Sequence, residues 1–306
     1  MNINSLNEVK NKIEDIFSFK IDNIKFIGSG VDSSAFLVNN SWIFKLGISS
    51  NSRYDYRVSK AVSDLFKLHL KSNIEIPYID YYCCTDELQI IGYKYVDGIF
   101  ATKEVYQSMS NKQKEKFAYD VAMFLKSVHS LDCTNFDIDI LDMRSKMLDE
   151  VKLIRNCLYD SFSDVEKKYI DRFEEFINSS DVFDEKRCLC HIDFNPDHIL
   201  VDNNMNFKGV IDWGGAAVTC VYAEFPYLLS DGSDEIGRDF GLRVLDLYGC
   251  VDRDKALEYC RIHRMEYPIT ELVRGINNNN EEFISFGKSI IAKKCADDED
   301  VKKIML

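Results

Sequence analysis

The sequence predicts an α+β chain of two lobes, a small antiparallel sheet with one long helix over residues 1–97 and a larger, mostly helical lobe over 98–306. Three observations predict it. Residues 22–97 hold short apolar runs split by turn residues, interrupted once by helical spacing. Beyond Gly98 the apolar period lengthens to three and four. A chain of 306 residues is also too long for one small core, while four prolines and fourteen glycines leave no long linker.

Taken in order, DNIKFIGSG, VDSSAFLV and NNSWIFKLG read as three strands over 22–46, with Asn39-Asn40 as the second turn. Residues 53–70 read as a helix, because Val58, Val62, Leu65 and Phe66 recur at helical spacing. After Pro77, YIDYYCC and ELQIIGYKYV read as strands that end at Asp97-Gly98. Residues 110–131 put Phe117, Val121, Phe124, Leu125 and Val128 on one helix face. Helical patterns cover 142–159 and 163–179. Strand-like LCHIDF, HILVD and FKGVIDW follow, the last two joined by a turn at Asn203-Asn204, and 222–295 is again mostly helical.

Composition narrows the function. Lys plus Arg is 38 against 51 Asp plus Glu, a net charge of −13, which repels phosphate backbones and favours polycationic partners over nucleic acid. The opening MNINSLNEVKNKIEDIF has no apolar signal region, and runs such as VAMFL fall far short of a membrane span of about 20 residues. The expectation is a cytoplasmic protein without a membrane segment, whose ten cysteines are reduced and mostly fill the core. Cys188-Leu-Cys190 has no second pair at ligand spacing, so it reads as a buried strand end rather than half a metal site.

The sharpest segment is His191-Ile-Asp193-Phe-Asn-Pro-Asp-His198, followed by Val-Ile-Asp212-Trp-Gly214. Asp193 and Asp212 each adjoin a short apolar strand and are separated by one hairpin, which sets both carboxylates at one end of a ribbon. Phosphoryl transfer needs this pairing: one carboxylate takes or orients the acceptor hydroxyl's proton, and the other helps hold Mg²⁺ against nucleotide phosphates.

HIDFNPDHILVDNNMNFKGVIDWGGAAV resembles the catalytic and metal-binding loops of the aminoglycoside phosphotransferase family, particularly its members acting on the 2″-hydroxyl, which have a protein-kinase-like fold. The resemblance extends through most of the chain and implies a role for each matching residue. Asp193 becomes the catalytic aspartate, also contacting substrate, while His198 and Asp212 become the Mg²⁺ ligands. Gly28, Ser29, Gly30, Ser33 and Ser34 become a nucleotide-covering hairpin, followed by a phosphate lysine, Lys45. Glycine lets backbone approach phosphate, and a lysine inside an apolar strand is costly unless paired. At the hinge, backbone of Lys94 and Val96 would bond the base between Leu200 and Ile211. Tyr93 falls where a bulky residue favours GTP over ATP, or else it is a core aromatic.

The sequence departs from the family's pattern in places. No Glu occurs between 46 and 74, so Asp55 or Asp64 must serve as the partner of Lys45. Gly215 and Cys220 replace an acid and a Gly-Asp-Pro, and Glu224 stands for the aspartate that ties down the catalytic loop. Asp231, Asp234 and Glu235 align with the acids that bind an antibiotic's ammonium groups. Tyr267 could wall a sugar ring or pack in the core. The expected protein is a monomeric kinase that uses Mg²⁺ and GTP or ATP to phosphorylate a polycationic aminoglycoside. The rivals are a kinase of another small hydroxylated metabolite and a degenerate nucleotide-binding protein.

Overall fold

A helix not foreseen from the sequence opens the chain. The computed structural model describes residues 5–30, 32–49, 52–230, 235–249, 251–298 and 301, beginning with α1 (Leu6–Phe17), where the Ser5 hydroxyl accepts the Glu8 N–H as a cap. Val9 and Ile13 of α1 are buried, and with Leu6, Ile16 and Phe17 they recur at the spacing of a helix. Then come β1 (Ile24–Ser29), β2 (Ser33–Val38), β3 (Trp42–Gly47), α2 (Ser52–His69), β4 (Ile79–Cys84) and β5 (Gln89–Lys94). The five strands form one antiparallel sheet in the order β1-β2-β3-β5-β4.

Period-two alternation gives this sheet two apolar faces. Phe36, Val38, Phe44, Leu46 and Ile90 pack with Val9 and Ile13 of α1. Ile43, Ile79, Ile91 and Tyr93 point the other way, against Tyr56 of α2. The remaining apolar face of α2 (Val58, Val62, Leu65 and Phe66) joins the core of the larger lobe. On the same helix, Arg57 crosses to Asp137 and Asp139 at 2.5 and 2.6 Å. One helix therefore fastens the sheet to everything that follows.

The larger lobe comprises β6 (Ile99–Phe100), α3 (Lys103–Ser108), α4 (Asn111–His129), α5 (Met143–Cys157), α6 (Asp164–Ser179), β7 (Arg187–Cys190), β8 (Ile199–Val201), β9 (Phe207–Val210), β10 (Ala217–Cys220), α7 (Arg238–Tyr248), α8 (Arg253–Asn277) and α9 (Glu281–Asp297). Helix α4 opens with a Ser110–Gln113 capping box and buries all five apolar residues named for it. Strands β6, β8 and β9 make one small sheet, and β7 pairs with β10. The strand in LCHIDF stops at Cys190, because Ile192 takes φ 71° and cannot continue a ladder. Helix is also absent from the described residues between 225 and 237, where short turns lead into α7. Among the described residues no helix is long and apolar enough to cross a membrane, and nine cysteines are free thiols.

Candidate active site

Asp193 and Asp212 come together at one end of the β8–β9 hairpin, where the Ile211 N–H donates to the His198 carbonyl at 2.9 Å. Both loops are held in unfavourable backbone. Ile192, a β-branched residue, has φ 71°, and Asp212 sits at φ 64°, ψ 63°. Such conformations cost about 1–3 kcal/mol each and persist only where surroundings impose them. Here the surroundings are visible. His191 is fully buried, and its Nε2–H donates to the Ile211 carbonyl at 2.9 Å, joining the two loops. Trp213 donates to the Val210 carbonyl at 3.3 Å and packs edge-on against Phe66 of α2. Gly214 leaves room for that helix, since a Cβ there would meet the Asp55 Cβ at 3.0 Å.

Glu224 takes the part anticipated for it, from a short 3-10 turn rather than a helix. Its buried Oε2 accepts the His191 N–H at 2.8 Å and lies 3.1 Å from His129 Nε2. Glu224→Ala strands both groups in the interior, at about 1–3 kcal/mol for each unmet one. Urea unfolding should show a lower midpoint with an unchanged slope.

The Asp193 carboxylate is 47 % exposed and accepts from Asn195 Nδ2 at 2.7 Å through Oδ1. His198 Nδ1 lies 2.8 Å from the Asp193 main-chain oxygen, which can only accept, so the proton is assigned to Nδ1. The Nε2 lone pair then faces Asp212 Oδ2 at 3.8 Å with no proton between them. Two electron-rich atoms converging on half-enclosed space fit a divalent cation, although Mg²⁺ prefers oxygen and would keep several waters.

Lys45 on β3 extends to Asp212 Oδ2 at 2.9 Å. Burial works to lower its pKa, but Tyr93 and Asp212 more than offset it, so the ammonium is held above its usual value. Burial likewise opposes ionisation of Asp212, yet Lys45 holds that carboxyl below the ordinary range. Of the two acids considered for the lysine, Asp64 instead pairs with Lys60 at 2.5 Å. Asp55 lies within the field of Lys45 and Asp212. Burial, then Asp32 and Asp212, push its carboxyl up to about 6.

A cleft of about 590 Å³ runs between the sheet and the hairpin. Gly28, Ser29, Gly30 and Ser33 roof it, Lys45, His198 and Asp212 stand at its base, and Tyr93, Val96, Leu200 and Ile211 line its apolar part. Ser34 and Lys94 are not on its walls. The Ser34 hydroxyl is 2.6 Å from that of Ser29, inside the hairpin, and the Lys94 side chain is exposed. Tyr93 also walls a cavity of about 20 Å³ behind Lys45.

On the acceptor side, Asp231 and Asp234 lie outside the described residues. Glu235 is described, and beside it the structure reveals residues that no spacing pointed to. The Tyr227 hydroxyl is pushed up first by burial and then by the nearby Asp193 carboxylate, with Glu235 and Glu266 adding to the effect. Its ring stacks edge-on against His263 at 5.3 Å. Glu266 is buried and paired with Lys146 at 2.7 Å. Single residues spread along an irregular turn and a long helix leave no local pattern to read. Tyr267, for which core packing was one expectation, is instead 47 % exposed.

With this geometry in hand, similarity to known proteins is informative. The family model described as a phosphotransferase enzyme family matches residues 23–259. The gentamicin complex of APH(2″)-IIa is 26% identical, with a TM-score of 0.81, over 95% of this chain and 97% of that one. ADP-bound aminoglycoside phosphotransferase APH(2″)-Ib is 24% identical, with a TM-score of 0.82, over 99% and 100%. The GDP and kanamycin complex of APH(2″)-IIIa is 20% identical, with a TM-score of 0.81, over 96% and 100%.

Proposed function

Because the chain belongs to the phosphotransferase enzyme family and shares the two-lobe, kinase-like α+β fold of those structures, we propose that it transfers the γ-phosphoryl group of GTP or ATP to a hydroxyl of an aminoglycoside, at the 2″ position. The observation that carries this is the convergence of Lys45, His198 and Asp212 at the base of one cleft, with Asp193 beside His198 just outside its walls. Residues 1–97 act as the nucleotide lobe and 98–306 as the catalytic and acceptor lobe.

In this reaction the base lies between Leu200 and Ile211 and bonds backbone at Lys94 and Val96. The Gly28–Gly30 hairpin covers the triphosphate, with Ser33 and Ser34 at its returning strand. Lys45, beside Asp212 on the cleft wall, would bond phosphate oxygens. Asp212 and His198 would hold Mg²⁺, which neutralises charge that develops on the phosphoryl oxygens. Asn195 occupies Oδ1 of Asp193 and leaves Oδ2 to accept the acceptor hydroxyl's proton. Glu235, with Asp231 and Asp234 before it, would attract the acceptor's ammonium groups, each charge-assisted bond being worth about 1.5–3 kcal/mol. A phosphate-transfer screen of purified protein against an aminoglycoside panel, with ATP and GTP in parallel, tests the proposal. Turnover of small hydroxylated metabolites alone, or of no acceptor, would overturn it.

Tyr93 bears on the choice of donor. Its side chain lines both the cleft and the small cavity behind Lys45, so truncation would open space between them and deepen the base slot. An unmet buried hydrogen bond costs about 1–3 kcal/mol, roughly 5- to 150-fold in affinity, which is enough to set a preference between purines. GTP should be the better donor for the wild type, and Tyr93→Ala should recover ATP use with little loss of GTP. Values of kcat/KM for both nucleotides check it, and an unmoved ratio makes Tyr93 a packing residue.

A further inference from the structure

Cys188 and Cys190 lack a second cysteine pair in sequence, but the fold supplies a partner from another element. Strand β7 turns both side chains to one face, and their sulfurs lie 3.7 Å apart. His129, the last residue of α4, packs over them. One ring nitrogen and the two sulfurs all lie within 4.8 Å of one another, and all three residues are buried. A tetrahedral ion with metal–sulfur bonds of about 2.3 Å holds two thiolates roughly 3.8 Å apart. The sulfurs already have that separation. We propose that His129, Cys188 and Cys190 form a binding site for a thiophilic divalent cation of the Zn²⁺ class, distinct from the nucleotide cleft.

Loading one ion releases two protons, because both sulfurs bind as thiolates and the imidazole binds in its neutral form. Two further features fit a soft cation. An entry path exists. A cleft of about 500 Å³, walled by His129, Cys133, Phe136, Lys186, Cys188 and Val218, reaches the cluster and could bring water to a fourth coordination position. Finally, the imidazole is held on both sides, by Tyr248 Oη at 2.9 Å from Nδ1 and Glu224 at 3.1 Å from Nε2. The ion would displace one of these, and the other would fix the ring as outer partners of metal-bound histidines do. Glu224 also holds the His191 N–H, so occupancy of the cluster reaches the loop that carries Asp193.

The test uses reduced, full-length protein stripped of metal. Cd²⁺ titration should raise an ultraviolet thiolate-to-cadmium band that saturates at one equivalent, with release of two protons per ion. The band should vanish in Cys188→Ser and Cys190→Ser and persist in Cys157→Ser and in the Cys83→Ser, Cys84→Ser double variant. Should a buried serine prevent folding, X-ray absorption of the Zn²⁺-loaded wild type decides the matter. A shell of two sulfurs and one imidazole nitrogen supports the site. A shell without sulfur, a four-sulfur shell, no band at one equivalent, or a band unchanged in both single variants would overturn it.

Discussion

Asp193→Asn should lower kcat by about 10²–10⁴-fold, the usual contribution of a general base, while nucleotide affinity stays within a few-fold. The amide keeps the shape of the carboxylate but cannot take a proton from the acceptor hydroxyl. Its neighbours are arranged so that the loss falls on that step alone. Asn195 bonds one carboxylate oxygen, and the His198 ring is hydrogen-bonded to the main chain of residue 193, with the other carboxylate oxygen 3.5 Å away. Asp193 is not on the walls of the nucleotide cleft, and the amide leaves in place the main-chain anchor of His198, which is on them. Single-turnover rates and nucleotide titrations on the same preparation separate the two effects. A variant within a few-fold of wild type would mean that Asp193 does not act as the base.

Asp212→Ala should abolish the Mg²⁺-dependent part of the thermal stabilisation that a nucleotide confers. A bound nucleotide stabilises by RT ln(1 + [L]/Kd), about 2.7 kcal/mol at a hundredfold excess over Kd, and the Mg²⁺-dependent part is the difference between its values with and without the cation that joins protein and phosphates. Alanine also deprives Lys45 of the carboxylate 2.9 Å away, leaving a half-buried ammonium without its partner. The apo protein should therefore melt lower, and nucleotide should restore less of the difference with Mg²⁺ than it does in wild type. His198→Asn should be milder, because an amide oxygen can replace the imidazole nitrogen. Unfolding curves with and without nucleotide and Mg²⁺, for all three proteins, give the comparison. An intact Mg²⁺ effect in Asp212→Ala would remove that residue from the metal site.

The parts of the fold legible in the sequence were those with strong local period. Helix α4, with five apolar residues on one face, and the β8–β9 hairpin, with its Asn203-Asn204 turn, follow directly from spacing. So does the meeting of Asp193 and Asp212, because a hairpin returns its ends to the same place. What escaped was of two kinds. Strands β6 and β10 are short and owe their form to the surfaces they cover, whereas helix α1 carries a clear helical period in Leu6, Val9, Ile13, Ile16 and Phe17 that was passed over. Long-range pairings such as Lys45 with Asp212, Glu224 with His129, and Tyr227 with Asp193 depend on how elements dock, which no local spacing encodes. The missing glutamate in α2 was visible as a departure. That Asp64 would turn aside to Lys60 was not.

Helix α2 has a consequence for any attempt to take the protein apart. A polypeptide that ends at residue 97 would carry α2 without the surface it is built to cover. Val58, Val62, Leu65 and Phe66 would face water, each forfeiting about 1.5–3 kcal/mol of burial, and Arg57 would lose both of its aspartates. The complementary fragment would in turn expose the Trp213 ring that rests on Phe66. Neither half can be handled in isolation as a soluble module, and reconstituting the protein from two pieces would require that they be made together.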